Sequence, residues 1–234
     1  VVLVNKCVSG GDMLSLGTSL NRNQTLISRN DTFELGFFNP NRTNKWYIGI
    51  WYDKYKVIVW VGNREASLLN MPGILTLGNE GYLTLSDTNT NTIWLTNETQ
   101  RAKASMALIL YTNNFVMVGT QNPSLTVWES FENATYTLFP GMKFWKGMNL
   151  TSWKNSLDLV RGPFSLLMDP TLGRTQIMLL YNDSVPYFTI SECDKVHFPN
   201  AGASTQRHPR DEELKQISPI RMYYGFIVLT MVLL

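Results

Sequence analysis

The chain has 234 residues, twenty Lys+Arg against eighteen Asp+Glu for a formal charge of +2, and only 16% charged residues against 44% hydrophobic ones. That balance excludes a disordered polyelectrolyte, and the lack of a dense basic stripe argues against a nucleic-acid binder. Two His (His197, His208) and two Cys (Cys7, Cys193) are too few and too scattered for a metal cluster, and no phosphate-loop, dinucleotide or nucleophile-elbow motif occurs, so no cofactor, metal ligand or catalytic residue is expected and the chain is not read as an enzyme.

Residues 1–10 read either as the end of a secretory signal, with small residues Ser9 and Gly10 near its cut, or as an ordinary first strand. A Cys7–Cys193 bridge stays open. From there the chain runs in short segments rich in Val, Ile, Thr and aromatics, the composition of strands. They are Thr25–Arg29, Thr32–Phe38, Trp46–Tyr52, Val57–Val61, Ile74–Leu77, Tyr82–Ser86, Thr92–Thr96, Met106–Tyr111, Phe115–Val118 and Leu125–Trp128. Turn clusters such as Asn39-Pro40-Asn41, Met71-Pro72-Gly73 and Gly78-Asn79-Glu80-Gly81 separate them. No helical stripe of useful length precedes residue 205. The expected class is all-β.

An internal repeat organises these strands. Trp60, Trp94 and Trp128 stand 34 residues apart, each ending a β-branched run. Upstream of each lies a second shared element, read as Thr32-Phe33-Glu34-Leu35, Tyr82-Leu83-Thr84-Leu85 and Asn114-Phe115-Val116-Met117. One such unit cannot bury its apolar face alone, whereas three about a pseudo-three-fold axis would bring Trp60, Trp94 and Trp128 together in a common core. Seven Asn-x-Ser/Thr sequons, at Asn23, Asn30, Asn41, Asn97, Asn133, Asn149 and Asn182, are spread along the chain. They point to a glycoprotein that is secreted or sits on the extracellular face of the plasma membrane.

The ordered motifs Phe33-Glu34-Leu35-Gly36-Phe37-Phe38, Tyr47-Ile48-Gly49-Ile50-Trp51-Tyr52, Val59-Trp60-Val61-Gly62-Asn63-Arg64-Glu65 and Val127-Trp128-Glu129-Ser130-Phe131 make the chain resemble the bulb-type (monocot mannose-binding) lectin domain of plant S-locus glycoproteins and S-domain receptor-like kinases. Thr137-Leu138-Phe139-Pro140-Gly141-Met142-Lys143, Leu150-Thr151-Ser152-Trp153-Lys154 and Gly162-Pro163-Phe164-Ser165-Leu166 extend the resemblance. It implies a β-prism of three four-stranded sheets over 11–128 and an incomplete second lectin-like module over 129–190. A polar linker over 191–221 and a short apolar tail over 222–234 would follow. The thirteen residues of that tail carry no charge but fall short of the ~20 a spanning helix needs. They read as a cut-off membrane attachment, a GPI signal with Ala201–Ser204 upstream, or the end of a truncated gene model, the last being favoured.

The family's mannose motif is Gln-x-Asp-x-Asn-x-Val-x-Tyr, which places alternate side chains on one strand face. Laid on this chain, the first repeat offers Ser28, Asn30, Thr32, Glu34 and Gly36; the second, Gly78, Glu80, Tyr82, Thr84 and Ser86; the third, Leu110, Thr112, Asn114, Val116 and Val118. Only Asn114 and Val116 match. The resemblance therefore implies a recognition module with a degenerate sugar site. Its expected partners are a protein or peptide ligand or S-domain receptor ectodomains, with weak glycan binding at most. The alternatives are a working mannose lectin and a decoy glycoprotein that associates with full-length receptors.

Overall fold

The computed structural model describes residues 8–9, 11–96, 103–122, 124–139, 142–143, 148–169, 176–190, 220–223 and 226–229. Both Cys, both His, Asn97 and nearly all of the 191–221 segment lie outside them. The chain divides into two compact units, Val1–Ala134 and Thr135–Leu234. Among the described residues there is no α-helix, only two single 3₁₀ turns, and no helix is long and apolar enough to cross a membrane.

The strands of the first unit are β1 (Val8–Ser9), β2 (Met13–Ser15), β3 (Ser19–Leu20), β4 (Gln24–Ile27), β5 (Phe33–Phe38), β6 (Lys45–Tyr52), β7 (Val57–Val61), β8 (Leu68–Leu69), β9 (Ile74–Leu77), β10 (Leu83–Ser86), β11 (Thr92–Leu95), β12 (Ala104–Ile109), β13 (Phe115–Gly119) and β14 (Thr126–Glu129). They form three sheets. The first runs β1-β4-β5-β6-β7 with β8 added beside β6; the second runs β11-β10-β9-β3; the third runs β14-β13-β12-β2. Each is therefore a set of four antiparallel strands ending on the strand that carries a repeat tryptophan, and the first has two short additions. The segment before residue 28 laces all three together. β2 joins the third sheet, β3 the second and β4 the first.

The burial of each strand follows its neighbours. In the second sheet Leu75, Leu77, Leu83 and Leu85 are buried while Thr76, Thr84 and Ser86 are half-buried, the alternation of a sheet with one packed face. In the first sheet the alternation vanishes: Leu35, Ile48 and Ile50 are buried on one face, and Phe38, Tyr47 and Trp51 are buried on the other. Strands covered on both faces read as continuous apolar runs. Glycines make room for those rings. Gly36 pairs directly with Gly49 across β5 and β6, and a Cβ on Gly49 would stand 2.7 Å from the Phe38 ring and 2.5 Å from the Trp60 carbonyl oxygen.

The second unit contains β15 (Thr137–Leu138), β16 (Asn149–Asn155), β17 (Asp158–Asp169), β18 (Gln176–Tyr181), β19 (Val185–Ile190), β20 (Ile220–Tyr223) and β21 (Phe226–Leu229). β16 to β19 make a four-stranded antiparallel meander, and β15-β21-β20 make a three-stranded sheet. Leu150, Phe164, Leu166 and Leu179 are buried on one face of the meander, Leu180 is buried on the other, and Leu159 is also buried. Tyr136 packs edge-on against Trp153 with ring centroids 5.0 Å apart. The described part of the 222–234 segment is strand: Arg221 to Tyr223 and Phe226 to Val228 pair with one another, and Ile227 and Val228 pair with Leu138 and Thr137.

Candidate functional site: the tryptophan triad and the outer sheet faces

The three tryptophans sit on the edge strands β7, β11 and β14. Their rings meet edge to face in a closed triangle, with centroid separations of 6.2, 6.0 and 6.0 Å and interplanar angles of 73°, 72° and 73°. Edge-to-face contact suits the aromatic quadrupole, and the equal angles mark a propeller about a three-fold axis. Trp60 and Trp128 are buried. Trp94 is half-buried because the whole of β11 is more open: Thr92 is exposed and Ile93 to Leu95 are half-buried.

The backbone repeats as faithfully as the rings. Trp60 pairs with Ile50, Trp94 with Leu85 and Trp128 with Met117. In each sheet the register then slips at one position, so that Val59, Ile93 or Val127 is skipped. A bulge of this kind bends the strand and raises its twist, which turns each tryptophan inward to the axis. These pairs also correct the alignment of the first repeat. The strand equivalent to β10 and β13 is β6, with Ile48-Gly49-Ile50, and not β5 with Phe33-Glu34-Leu35.

A polar lock follows each tryptophan. Two residues after Trp94, Thr96 gives its N–H to the Leu83 carbonyl (3.0 Å) and accepts the Leu83 N–H on its hydroxyl (3.1 Å). Two residues after Trp128, Ser130 does the same with Phe115, both at 2.9 Å. In the first sheet that position is Gly62, whose N–H reaches the Ile48 carbonyl at 2.9 Å. The missing hydroxyl is replaced by the next residue: Asn63 Oδ1 accepts the Ile48 N–H at 2.8 Å, and its Nδ2 donates to the carbonyls of Ala66 (2.9 Å) and Trp46 (3.3 Å). Asn63 was not singled out from the sequence. Its signal was a glycine standing where the other repeats carry a hydroxyl.

With the register settled, the motif positions of the first sheet are Thr43, Lys45, Tyr47, Gly49 and Trp51, in place of Ser28, Asn30, Thr32, Glu34 and Gly36. Tyr47 and Trp51 are fully buried. In the second sheet Tyr82, Thr84 and Ser86 are half-buried, and Glu80 is exposed and pairs with Lys103 at 3.0 Å. In the third sheet Asn114 is 7% exposed. Its Oδ1 accepts from the Ser130 hydroxyl (3.1 Å) and the Phe131 N–H (3.2 Å), and its Nδ2 donates to Glu129 at 2.6 Å. Val116 beside it is buried, and the residues paired with it are Leu108 and Glu129. Asn114 thus ties β13 to the chain leaving β14.

Six sequon residues are described. Asn23, Asn30, Asn41, Asn133, Asn149 and Asn182 are all exposed. Asn97 lies outside the described residues.

Residues 57–155 match the family model described as D-mannose binding lectin. Over 162 residues the chain is 38% identical to an S-locus-specific glycoprotein of Brassica oleracea, covering 64% of this chain and 37% of that protein. Over 179 residues it is 34% identical to a putative G-type lectin S-receptor-like serine/threonine-protein kinase of Arabidopsis thaliana, covering 70% of this chain and 21% of the kinase. The chain thus spans well under half the length of these relatives. Among solved structures it is similar to a Marasmius oreades lectin (TM-score 0.42, 17% identity, 53% of this chain and 94% of that one) and to a monomeric monocot mannose-binding lectin from Gastrodia elata (TM-score 0.38, 20% identity, 51% and 96%). The chain carries a bulb-type lectin domain of the family found in S-locus glycoproteins and G-type lectin S-receptor-like kinases.

Proposed function

We propose that this chain is a non-catalytic recognition module, secreted or held on the extracellular side of the plasma membrane, that engages a protein or peptide partner and not free mannose. The observation that carries this reading is the state of Asn114. It is the one polar residue that matches the mannose motif, and its amide already serves Glu129, Ser130 and Phe131. A sugar hydroxyl would have to displace these bonds. A millimolar Kd needs about 4 kcal/mol, and exchanging one set of hydrogen bonds for another of ~1 kcal/mol each does not supply it. The relatives are named as glycoproteins and receptor-like proteins, which supports an extracellular recognition role, and six exposed sequon residues agree with it.

Calorimetric titration with mannose and with an oligomannose glycan tests the reading. No saturable heat at millimolar sugar is expected. Saturable binding that is lost in Asn114→Ala would establish the mannose-lectin reading instead. Co-precipitation with S-domain receptor ectodomains tests the decoy role.

A further inference from the structure

The connection between β6 and β7 is a 3₁₀ turn, Asp53–Tyr55, closed by Lys56 in the left-handed conformation with φ 51°. Its backbone is tied down at one end, where the Asp53 N–H donates to the Thr32 carbonyl at 2.9 Å. Within it the Lys56 N–H reaches the Asp53 carbonyl at 3.3 Å. Its side chains converge on Glu34 of β5. Lys56 Nζ lies 3.6 Å from Glu34 Oε1 and also pairs with Asp53 Oδ1. Tyr55 stacks on Tyr52, which in turn contacts Phe33, and Lys54 lies over the Tyr55 ring. One cation therefore serves two carboxylates.

The Glu34 side chain is only 18% exposed. The residues opposite it are Ile27 on β4 and Trp51 on β6, neither of them titratable. The titratable groups that bear on it come from the turn, Asp53 and Lys56. Burial, above all, pushes the Glu34 carboxyl up from 4.5 to about 7; the hydrogen bond with Asp53 adds to this and Lys56 opposes it. Below that value a protonated Glu34 donates to the Asp53 carboxylate, and Lys56 balances a single negative charge. Above it two carboxylates face one ammonium.

We propose that Glu34, Asp53 and Lys56 form a proton-operated latch that clasps the β6–β7 turn to β5 in mildly acid surroundings and loosens it at neutral and alkaline pH. The sign follows from linkage. The folded state holds this proton more tightly than the unfolded chain does, so the stabilisation is complete below 4.5 and is lost as pH rises through about 7.

Amide hydrogen exchange of the full chain, followed by NMR from about pH 5 to about pH 8 and corrected for the intrinsic pH dependence, reads the latch directly. Protection of the Asp53 and Lys56 amides is expected to fall as pH rises from about 5 and to level off above about 7, while that of Leu85 in the second sheet stays level. Glu34→Gln keeps a donor without the charge and is expected to flatten the transition. Asp53→Asn leaves Glu34 paired with Lys56 alone and is expected to move the levelling-off to lower pH. Should Glu34→Gln fail to fold, the carboxyl ¹³C shift of Glu34 in the unaltered chain decides the matter. Its titration near the ordinary carboxylate value, or a turn whose protection is the same in Glu34→Gln as in the unaltered chain, overturns the proposal.

Discussion

The indole Nε1–H of Trp60 donates to the backbone carbonyl of Asn133 at 2.9 Å, across 73 residues of sequence. The chain leaving the third sheet thereby returns to the tryptophan of the first, through the turn Ser130–Asn133, which the Asn133 N–H closes on the Ser130 carbonyl at 3.1 Å. Trp60→Phe is expected to keep the ring edge and lose about 1 kcal/mol with the hydrogen bond. Trp60→Ala or Trp128→Ala is expected to cost about 3–5 kcal/mol, as for other large core aromatics. Trp94→Ala should fall below both because its strand is half-open. Urea unfolding of the three Ala variants checks the order; equal losses would deny the asymmetry of the triangle.

Asn63 satisfies three backbone groups, two on β6 and one, the Ala66 carbonyl, in the turn before β8. Asn63→Ala is expected to lower stability by about 1–3 kcal/mol, the cost of leaving such groups buried and unpaired. A hydroxyl placed at Gly62 should not repair it, because the new Cβ would stand 3.0 Å from both the Trp60 ring and the Ile48 side chain. A drop in the denaturation midpoint at constant slope is the expected signature. Recovery in the Gly62→Ser/Asn63→Ala double variant would show that the lock tolerates either geometry.

Gly49→Ala should be among the more damaging single-methyl changes in the first unit. Its Cβ would meet the Trp60 carbonyl oxygen and the Phe38 ring, and overpacking of this kind costs about 1–3 kcal/mol. Gly11→Ala is the control, since nothing lies within 4 Å of its Cβ. Thermal melts of the pair separate steric collision from a general effect of losing glycine.

Protein made through a plant secretory pathway is expected to lose the mass of several glycans on enzymatic removal of N-linked sugar. The six described sequon residues are exposed, and a glycan needs an accessible Asn. Intact-mass spectrometry before and after treatment reads the number directly. An unchanged mass would remove the support for an extracellular site of action.

Much of the first unit was legible from residue spacing. The 34-residue interval marks the three edge strands because each tryptophan ends one repeat and the next repeat spends the same number of residues before its own, although the last loop grows from 53–56 through 87–91 to 120–125. Which upstream strand pairs with Trp60 was not legible. Both Phe33–Phe38 and Lys45–Tyr52 are nearly apolar throughout and buried on two faces, so neither shows the alternation that would tell an edge partner from its neighbour. The strands Met13–Ser15 and Ser19–Leu20 were missed for another reason: two or three residues carry no period at all. At the outer faces, the match of Asn114 to a motif could be read from the sequence. Its engagement by Glu129, Ser130 and Phe131 depends on a turn that brings distant chain back beside it.

The lacing of all three sheets by one short segment bears on how the unit is assembled. Met13 to Ser15 are made before the partner they need, Met106 to Leu108, which follows about ninety residues later. Closing so large a loop carries its entropic cost before any contact offsets it, and topologies built on such distant pairings fold slowly. Until β12 arrives, β2 has no seat, and its unpaired backbone invites mispairing. A strand that precedes its partner by so much chain is thus among the last of this unit to be fastened.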